Sequence, residues 1–298
     1  MTDTASRRLA ATAGDSLKSL ALYPLPHHLL SRLVFAVTRV RAPAWKNLLI
    51  DGFIRRYRVD LGEAQQSDPH AYPDFNSFFT RALRPGARPI SDQPGDVCCP
   101  VDGTVSQAGA ISAGRLFQAK GRDYSLVQLL GGSQERAAPF AGGRFVTLYL
   151  SPRDYHRIHM PCTGQLQETI HVPGRLFGVG PHCVRAIPNL FARNERLISI
   201  FDSEAGPLAV IMVGALFVGS LETTWSGVVT PLPGRRPGVV DYRSATPIHL
   251  HRGQELGRFN MGSTVIVLFA QERVALDPGL ISETPVCMGQ RLGRLITY

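Results

Sequence analysis

The sequence is poor in cysteine, and its cysteines form no recognisable pattern. Among the 298 residues are 5 cysteines, an odd number that includes the adjacent pair Cys98 and Cys99 and contains no Cys-x-x-Cys spacing. Such a set indicates neither a disulfide framework nor a zinc site. We therefore predict a protein of a reducing compartment and no metal site.

Long apolar runs and a secretory signal are missing as well. The longest uncharged apolar stretch, residues 208–221, contains glycines and is shorter than the roughly 18 to 20 residues of a membrane-spanning helix. A pair of core strands is the better interpretation of this stretch. Near the N-terminus, Arg7-Arg8 is followed by a short segment that Asp15 and Lys18 interrupt, which is not a secretory signal. A cytoplasmic location is expected.

Nucleotide-binding motifs are also absent from the sequence, and acidic residues are scarce. The chain contains no P-loop, no G-x-G-x-x-G loop and no internal repeat, and its basic residues are not interleaved with aromatic ones as in RNA-binding proteins. A total of 32 Lys and Arg against 23 Asp and Glu gives a formal net charge of +9. This excess suggests an anionic partner, such as an acidic membrane surface.

Two amphipathic helices are predicted between residues 26 and 58. Pro26 is suited to open the first, and Pro43 to close it and open the second. Residues 28–58 contain seven basic residues and a single acid, Asp51, so a basic pair of helices on an anionic bilayer is one interpretation, and packing on the protein core is the other. Apolar residues recur at helical spacing at Leu29, Leu30, Leu33, Val34 and Val37, and again at Trp45, Leu48, Leu49, Phe53 and Tyr57.

The remainder of the chain has the texture of a β-rich domain. A third, short helix is expected at residues 75–83, and after Pro85-Gly86 short β-rich runs alternate with Gly and Pro without a helical period of useful length. We predict an α+β protein with a mainly antiparallel β-barrel or sandwich core. The predicted strands are 144–150, 165–172, 197–202, 208–213, 220–225 and 264–269.

A Gly-Ser-Thr step precedes the last of these strands. Residues 264–269 are β-branched and apolar, which predicts a buried strand, and Gly262 and Ser263 stand directly before it. Because glycine enters backbone conformations closed to other residues, the Ser263 hydroxyl can approach the Gly262 carbonyl and attack its own chain. A turn glycine followed by two strand residues that carry hydroxyls is the simpler alternative.

Three other residues have side chains suited to acid-base chemistry. Asp102 lies in a predicted turn, where a carboxylate can accept an imidazole N–H or cap the turn. His156 and His159 follow a predicted strand, but no third metal ligand at suitable spacing follows them.

The order Asp102, His159, Ser263 is that of an acid, a base and a nucleophile. A hydrolase is one interpretation, but Ser263 lacks the G-x-S-x-G elbow that presents a serine to an outside substrate. The strand that follows would hold Ser263 inside its own sheet, which favours attack on the Gly262 carbonyl.

Together these stretches resemble the pyruvoyl-dependent phosphatidylserine decarboxylases of the prokaryotic, membrane-associated type. The resemblance rests on PVDGTV around Asp102, SPRDYHRIHMP with His156 and His159, the arginine-rich loops PGRLF and PNLFARNER, VGALFVGSLETTW, and GRFNMGSTVIVLF, in that order over about residues 75–272. The family usually has leucine where Met261 stands. Methionine is similar in volume and also apolar, so cleavage is expected to survive.

This resemblance implies self-maturation followed by decarboxylation. His159, oriented by Asp102, would take the proton of Ser263, whose oxygen attacks the Gly262 carbonyl before the resulting ester breaks by β-elimination. The products would be a β chain, 1–262, and an α chain, 263–298, with a covalent pyruvoyl group derived from Ser263 as the cofactor. That group would form a Schiff base with phosphatidylserine and release CO2 to give phosphatidylethanolamine. His156 is implied near the substrate carboxylate, and His159 as the proton donor to the carbanion.

The same resemblance gives the expected surroundings. Phosphatidylserine, an anionic membrane surface and the two chains of one precursor are the expected partners, a homodimer stays open, and no nucleic acid is expected. Residues 1–84 would form a helical membrane-associating region and 85–298 the catalytic domain, peripheral on the cytoplasmic face of the inner membrane. Two alternatives are a serine hydrolase at the membrane surface, which would remain a single chain, and an inactive membrane-binding homologue, which would neither cleave itself nor release CO2.

Overall fold

The computed structural model describes residues 11–119, 121–217, 220–230, 237–244, 246–261 and 264–296. The helices are α1 (Ala13–Leu20), α2 (His27–Val37), α3 (Pro43–Tyr57), α4 (Phe75–Phe79), α5 (Leu126–Leu129), α6 (Gln134–Ala137), α7 (Pro181–Ala186) and α8 (Leu190–Arg193), with 3₁₀ turns at Pro69–Ala71 and Ala138–Phe140. The strands are β1 (Asp96–Cys98), β2 (Gly103–Ala110), β3 (Arg115–Ala119), β4 (Arg122–Ser125), β5 (Arg144–Tyr149), β6 (Arg157–His159), β7 (Gly164–Val172), β8 (Arg196–Ser203), β9 (Gly206–Val213), β10 (Leu221–Thr223), β11 (Gly227–Val228), β12 (Gly238–Asp241), β13 (His249–Leu250), β14 (Glu255–Phe259), β15 (Thr264–Phe269), β16 (Val274–Leu276), β17 (Pro285–Val286) and β18 (Arg291–Leu295).

The three N-terminal helices that the sequence predicts are all present. Pro43 stands at the first turn of α3, where its missing N–H costs nothing, and Arg58 ends that helix in a left-handed conformation with φ of 54°. Helix α4 stops at Phe79 and not at residue 83, because the backbone N–H of Gln65 donates to the Ala82 carbonyl at 2.9 Å and draws the following residues into an extended path.

A large antiparallel sheet forms the centre of the protein. Its strands run in the order β12-β7-β8-β9-β15-β5-β2-β17, with β13 also paired to β7. Strand β15 lies between β5 and β9, and all six of its residues are buried. This position explains its uninterrupted apolar sequence, since a strand covered on both faces has no polar side to show. The predicted mainly antiparallel α+β architecture is confirmed, whereas the described strands of this sheet do not close into a barrel.

In the β-rich region one further interpretation is wrong, and one group of helices was not predicted. Residues 208–221 do not form a strand pair, because β9 belongs to the large sheet and β10 to a separate four-stranded sheet with the order β11-β10-β14-β6. The β-rich region also contains helices α5 to α8, which have four to six residues each. Helices of about one turn are too short for a hydrophobic period to reveal them.

The N-terminal helices attach to the β-rich region through specific polar contacts. Arg185 of α7 donates two hydrogen bonds to Asp15 of α1, at 3.0 and 3.1 Å, and this pairing holds the pKa of the Asp15 carboxyl well below its usual range. His27 of α2 bonds the Leu22 carbonyl at 2.7 Å through Nε2 and accepts the Leu176 N–H at 3.2 Å through Nδ1. Within the described part of the chain, none of the helices combines the length and apolar character needed to cross a bilayer.

Candidate active site

The predicted cleavage site lies where β14 leads into β15. Gly262 and Ser263 are themselves outside the described residues, but both flanks are placed. On one side Met261 has φ of 110°, a backbone conformation that costs a residue with a side chain about 1 to 3 kcal/mol. On the other side Thr264 pairs with Tyr149 and Val213 in the middle of the large sheet. Along the chain, the predicted cleavage site therefore lies between a strained residue and a fixed one.

His156 is completely buried close to this junction. Its ring lies against that of Phe79, with the centroids 4.1 Å apart, and Phe79 belongs to the apolar cluster against which Met261 packs. Nδ1 bonds the Asp154 carbonyl at 2.8 Å, whereas Nε2 has no hydrogen-bond partner in the part of the chain that the structure describes. Burial, with a further contribution from the nearby charge of Arg81, lowers the pKa of His156 to about 3. The imidazole is therefore neutral at physiological pH.

His159 follows three residues later and makes hydrogen bonds with both ring nitrogens. Nδ1 lies 2.8 Å from the Gly253 carbonyl, and Nε2 lies 3.0 Å from the Tyr155 hydroxyl. A carbonyl only accepts, so Nδ1 carries the proton and Nε2 holds the lone pair. Burial lowers the pKa of His159 below its ordinary value, although the Gly253 carbonyl opposes this change. The result is a neutral imidazole with a basic Nε2.

Asp102 is held by partners other than His159. Arg88 donates to its two carboxylate oxygens at 2.6 to 3.0 Å, and the Met288 N–H donates to Oδ1 at 2.7 Å. The same Asp102 pairing raises the pKa of the Arg88 guanidinium. The charge of Asp102 still acts on His159, whose backbone N–H donates to the Pro100 carbonyl at 2.9 Å. The two residues are thus neighbours without the direct hydrogen bond that the resemblance implies.

Several residues of this site carry no signal in the sequence reasoning. Arg88 lies in a loop before β1, and nothing in its spacing indicates that it binds Asp102. Tyr155 stands within the SPRDYHRIHMP stretch, four residues before His159, but no function was predicted for it from the sequence. Phe79 was predicted only as a helix residue.

The two arginine-rich loops form an aromatic and cationic cluster. The guanidinium carbons of Arg175 and Arg193 lie 5.3 and 5.0 Å from the centroid of the Phe177 ring. Arg193 also lies over Tyr23, which follows α1. These arginines therefore bind the N-terminal region to the β-rich region, in addition to any contact with an anionic headgroup.

An apolar groove leads from the N-terminal helices to the cleavage site. It has a volume of about 420 Å³. Its walls come from α2 and α3, and Met261 lies at one end beside Phe75. The groove is almost entirely apolar, so it suits a hydrocarbon chain better than a polar substrate. Its lining residues include Val34, Val37, Leu48, Leu49, Phe53 and Tyr57.

The surroundings of residue 263 suit a small polar group formed from the chain itself. Thr264 Oγ1 and His156 Nε2 are both buried, and neither has a hydrogen-bond partner among the residues that the structure places. Buried polar atoms normally have hydrogen-bond partners, and those that lack one mark a site where another group belongs. A keto-acyl group at residue 263 carries two carbonyl oxygens and fits these surroundings, although only the hydroxyl of Thr264 can donate to it.

Both family models and curated relatives match most of this chain. A family model described as phosphatidylserine decarboxylase matches residues 75–294, and a second, described as PSD, matches residues 17–58. A phosphatidylserine decarboxylase proenzyme of Bordetella pertussis is 55% identical over 280 residues, which are 93% of this chain and 94% of that protein. Proenzymes of the same description from Pseudomonas paraeruginosa and Stutzerimonas stutzeri are 56% and 51% identical, over 93% and 94% of this chain and 96% and 95% of their own lengths. With both its β-rich core and its N-terminal helices matched, the chain belongs to the phosphatidylserine decarboxylase family.

Proposed function

We propose that this chain cuts itself between Gly262 and Ser263 and then decarboxylates phosphatidylserine to phosphatidylethanolamine. The observation that carries the proposal is a pair of buried, neutral histidines, His156 and His159, on the segment that bonds to β14, the strand that leads to the strained Met261. The match of the family model over residues 75–294 supports the same activity. The enzyme is a pyruvoyl-dependent lyase made as a proenzyme.

His159 is the base of the self-cleavage. Its Nε2 holds the lone pair because Nδ1 donates to the Gly253 carbonyl, so this nitrogen can exchange the Tyr155 hydroxyl for that of Ser263 and take its proton. The Ser263 oxygen then attacks the Gly262 carbonyl. The negative charge of Asp102 favours the imidazolium that forms at this moment. In this arrangement Asp102 acts through its charge, while the Gly253 carbonyl orients the ring.

His156 acts in the second reaction, at the substrate. Its unpartnered Nε2 is available to the headgroup that enters the site, and its ring is fixed by Phe79 and the Asp154 carbonyl. Once it is formed from Ser263, the pyruvoyl group supplies the electron sink that the loss of CO2 requires. His156 then lies near the leaving carboxylate, and His159 returns a proton to the substrate carbon.

The N-terminal helices hold the enzyme on the membrane that contains its substrate. Leu29, Leu33 and Leu48 are 57, 54 and 62% exposed, which supports insertion into the bilayer and not packing on the core. Trp45 is exposed beside them at 40%. The exposed arginines of these helices, Arg32, Arg55 and Arg56, meet anionic headgroups, whereas the buried Lys46 bonds the His70 carbonyl. The groove to Met261 receives an acyl chain. The enzyme is peripheral on the cytoplasmic face, with residues 1–84 as its membrane region and 85–298 as its catalytic domain; the homodimer stays a prediction.

Intact-mass measurement of the purified protein tests the proposal. The wild type is expected as two chains, 1–262 and 263–298, whereas Ser263→Ala is expected as one chain of 32.5 kDa because alanine has no hydroxyl to attack Gly262. Release of CO2 from phosphatidylserine should accompany cleavage and be absent from Ser263→Ala. A single uncleaved wild-type chain that hydrolyses esters would indicate the serine hydrolase, and two chains from Ser263→Ala would refute the self-cleavage mechanism.

A further inference from the structure

A polar cleft lies beside the candidate active site, on the opposite face of α4 from the apolar groove. It has a volume of about 300 Å³, and its lining includes Ser77 and Thr80 together with Arg81, Arg157 and Arg258. Arg157 is the first residue of β6, which ends at His159. It pairs with Arg258 of the neighbouring strand β14. The cleft therefore follows the two strands that carry His159 and lead to the cleavage site.

Arg157 and Arg258 are neutralised within the protein. Arg157 donates to Glu255 at 2.8 Å, and Arg258 lies 3.0 Å from the other oxygen of Glu255 and 3.6 Å from Glu222. Two guanidinium groups thus share two carboxylates. Arg157 and Arg258 line the cleft, and with these two carboxylates beside them they bring no excess of positive charge.

Arg81 supplies the charge that is left over. It is only 5% exposed, and one nitrogen, Nη2, donates to the Arg153 carbonyl at 2.9 Å. Its Nε and Nη1 have no hydrogen-bond partner among the described residues. A buried cation with two unused donors is expensive unless an anion completes its hydrogen bonds. Burial also lowers the pKa of this guanidinium, and the nearby charges of Tyr72, Asp102, Asp154 and Asp60 oppose that change without hydrogen-bonding to it.

We infer that this cleft is a binding site for the phosphate oxyanion of a phospholipid headgroup, with Arg81 as its principal donor. Free N–H groups of a guanidinium form strong charge-assisted hydrogen bonds with phosphate oxygens. The source that the position favours is the phosphodiester of the lipid undergoing reaction, because Arg81 lies two residues after Phe79, whose ring packs against that of His156. The inference rests on the proposed function for the identity of this lipid.

Binding can be tested on the uncleaved chain, because the cleft is complete before maturation. We suggest calorimetric titration of Ser263→Ala with glycerophosphoethanolamine, glycerophosphoserine, inorganic phosphate and serine at constant salt. Both glycerophosphodiesters should bind and serine should not. Adding Arg81→Gln should weaken glycerophosphodiester binding roughly tenfold to a hundredfold, since one charge-assisted contact is lost. Inorganic phosphate that binds more tightly than either glycerophosphodiester would overturn the assignment to a lipid headgroup.

Further variants guard against a trivial loss of folding. Arg81→Lys keeps the charge and should retain part of the affinity, and Arg258→Gln changes the cleft at a less buried position. Arg144→Gln removes an exposed cation at the far end of β5 and serves as the matched control. An affinity of Arg81→Gln equal to that of Arg144→Gln would refute the inference.

Kinetics of the matured enzyme separate this inference from the proposed function. Arg81→Gln should raise KM for phosphatidylserine in mixed micelles about tenfold or more with a smaller change in kcat, because Arg81 binds the headgroup and does not take part in the bond changes. A lower kcat at unchanged KM would contradict headgroup binding. If no variant releases CO2 while glycerophosphodiesters still bind through Arg81, the proposed reaction fails and the anion site stands.

Discussion

The centre of the large sheet and the N-terminal helices differ in how far their apolar side chains are exposed to solvent. Strand β15 buries all six of its residues, whereas Leu29 and Leu33 on α2 remain more than half exposed. Burial on both faces fixes the position of the reacting residues to within the tolerance of a packed core. The exposed apolar stripe of α2 does not position reacting residues. Its side chains are removed from water only when another apolar phase, such as a bilayer, covers them. Chemistry and attachment are therefore expected to respond to different mutations.

The largest effect is expected from loss of the base in the buried region. His159→Ala should slow self-cleavage about 10²- to 10⁴-fold, and Asp102→Asn should also leave mainly uncleaved chain, because both support proton removal from Ser263. The fraction of cleaved chain can be followed by denaturing electrophoresis. His249→Ala, which removes an exposed histidine on β13, is the control. Normal cleavage in both active-site variants would show that the assignment of these residues is wrong.

His156 distinguishes the two reactions within the same buried region. His156→Ala should still cleave, yet it should decarboxylate about a hundredfold more slowly, because we assign its Nε2 to the substrate and not to the proton transfer from Ser263. Activity is to be measured per pyruvoyl group so that partial maturation does not enter the rate. A fully active variant would remove His156 from the site, and failure to cleave would assign it to maturation.

Attachment to the membrane should change without any effect on maturation. Phe53 is unsuitable as a target, because its ring packs against Phe75, Phe78 and Phe79, so we choose the exposed Leu33 and Leu48. Leu33→Glu with Leu48→Glu should lower partitioning onto anionic vesicles roughly a hundredfold, through loss of about 3 kcal/mol of apolar burial. Flotation at two salt concentrations measures it, with salt weakening the wild type as well.

Two exposed valines provide a matched control for this double variant. Val239→Glu with Val240→Glu places the same charges on the exposed strand β12, away from the helices, and should float like the wild type. Unchanged flotation of the Leu33 and Leu48 variant would mean that α2 and α3 do not insert. Loss of cleavage in that variant would show that the two regions are coupled.

The smallest effect is expected from pH. Burial places the pKa of His159 below the ordinary value of 6.5, so the base stays neutral and the cleavage rate should change less than about twofold between pH 8 and 6.5. The rate should fall only when the pH drops below the lowered pKa. Pulse-labelled precursor incubated at each pH gives this rate directly. A loss of half the rate by pH 6.5 would mean that His159 titrates like an exposed histidine.

The sequence predicted those features that depend on repeated local signals. The uninterrupted apolar residues of β15, the stripe of α2 and the proline at the start of α3 each indicate their element without tertiary information, and all three are confirmed. The end of α4 was wrong because Gln65, ten residues before that helix begins, decides it through a backbone hydrogen bond. The assignment to the family, which separated motifs carried, is confirmed.

The partners of the site residues could not be predicted in the same way. Asp102 and His159 were expected to bind each other, yet Arg88 and the Met288 N–H hold the first, and the Gly253 carbonyl holds the second. Such contacts join residues far apart in the chain and leave no periodic trace. The unpaired charge of Arg81 is equally invisible in the sequence, because it depends on which arginines Glu222 and Glu255 happen to reach.

The central position of β15 has a consequence for folding after the chain is cut. Cleavage at residues 262 and 263 would leave the middle strand of the sheet, together with β16, β17 and β18, on a separate short chain that is held only by non-covalent contacts. The uncut chain can return from denaturant because its strands are tethered, whereas the cut protein must assemble two molecules. Maturation would thus make unfolding irreversible, because the covalent connection that allowed the chain to fold is gone. The lifetime of the cut protein would then be set by its unfolding rate.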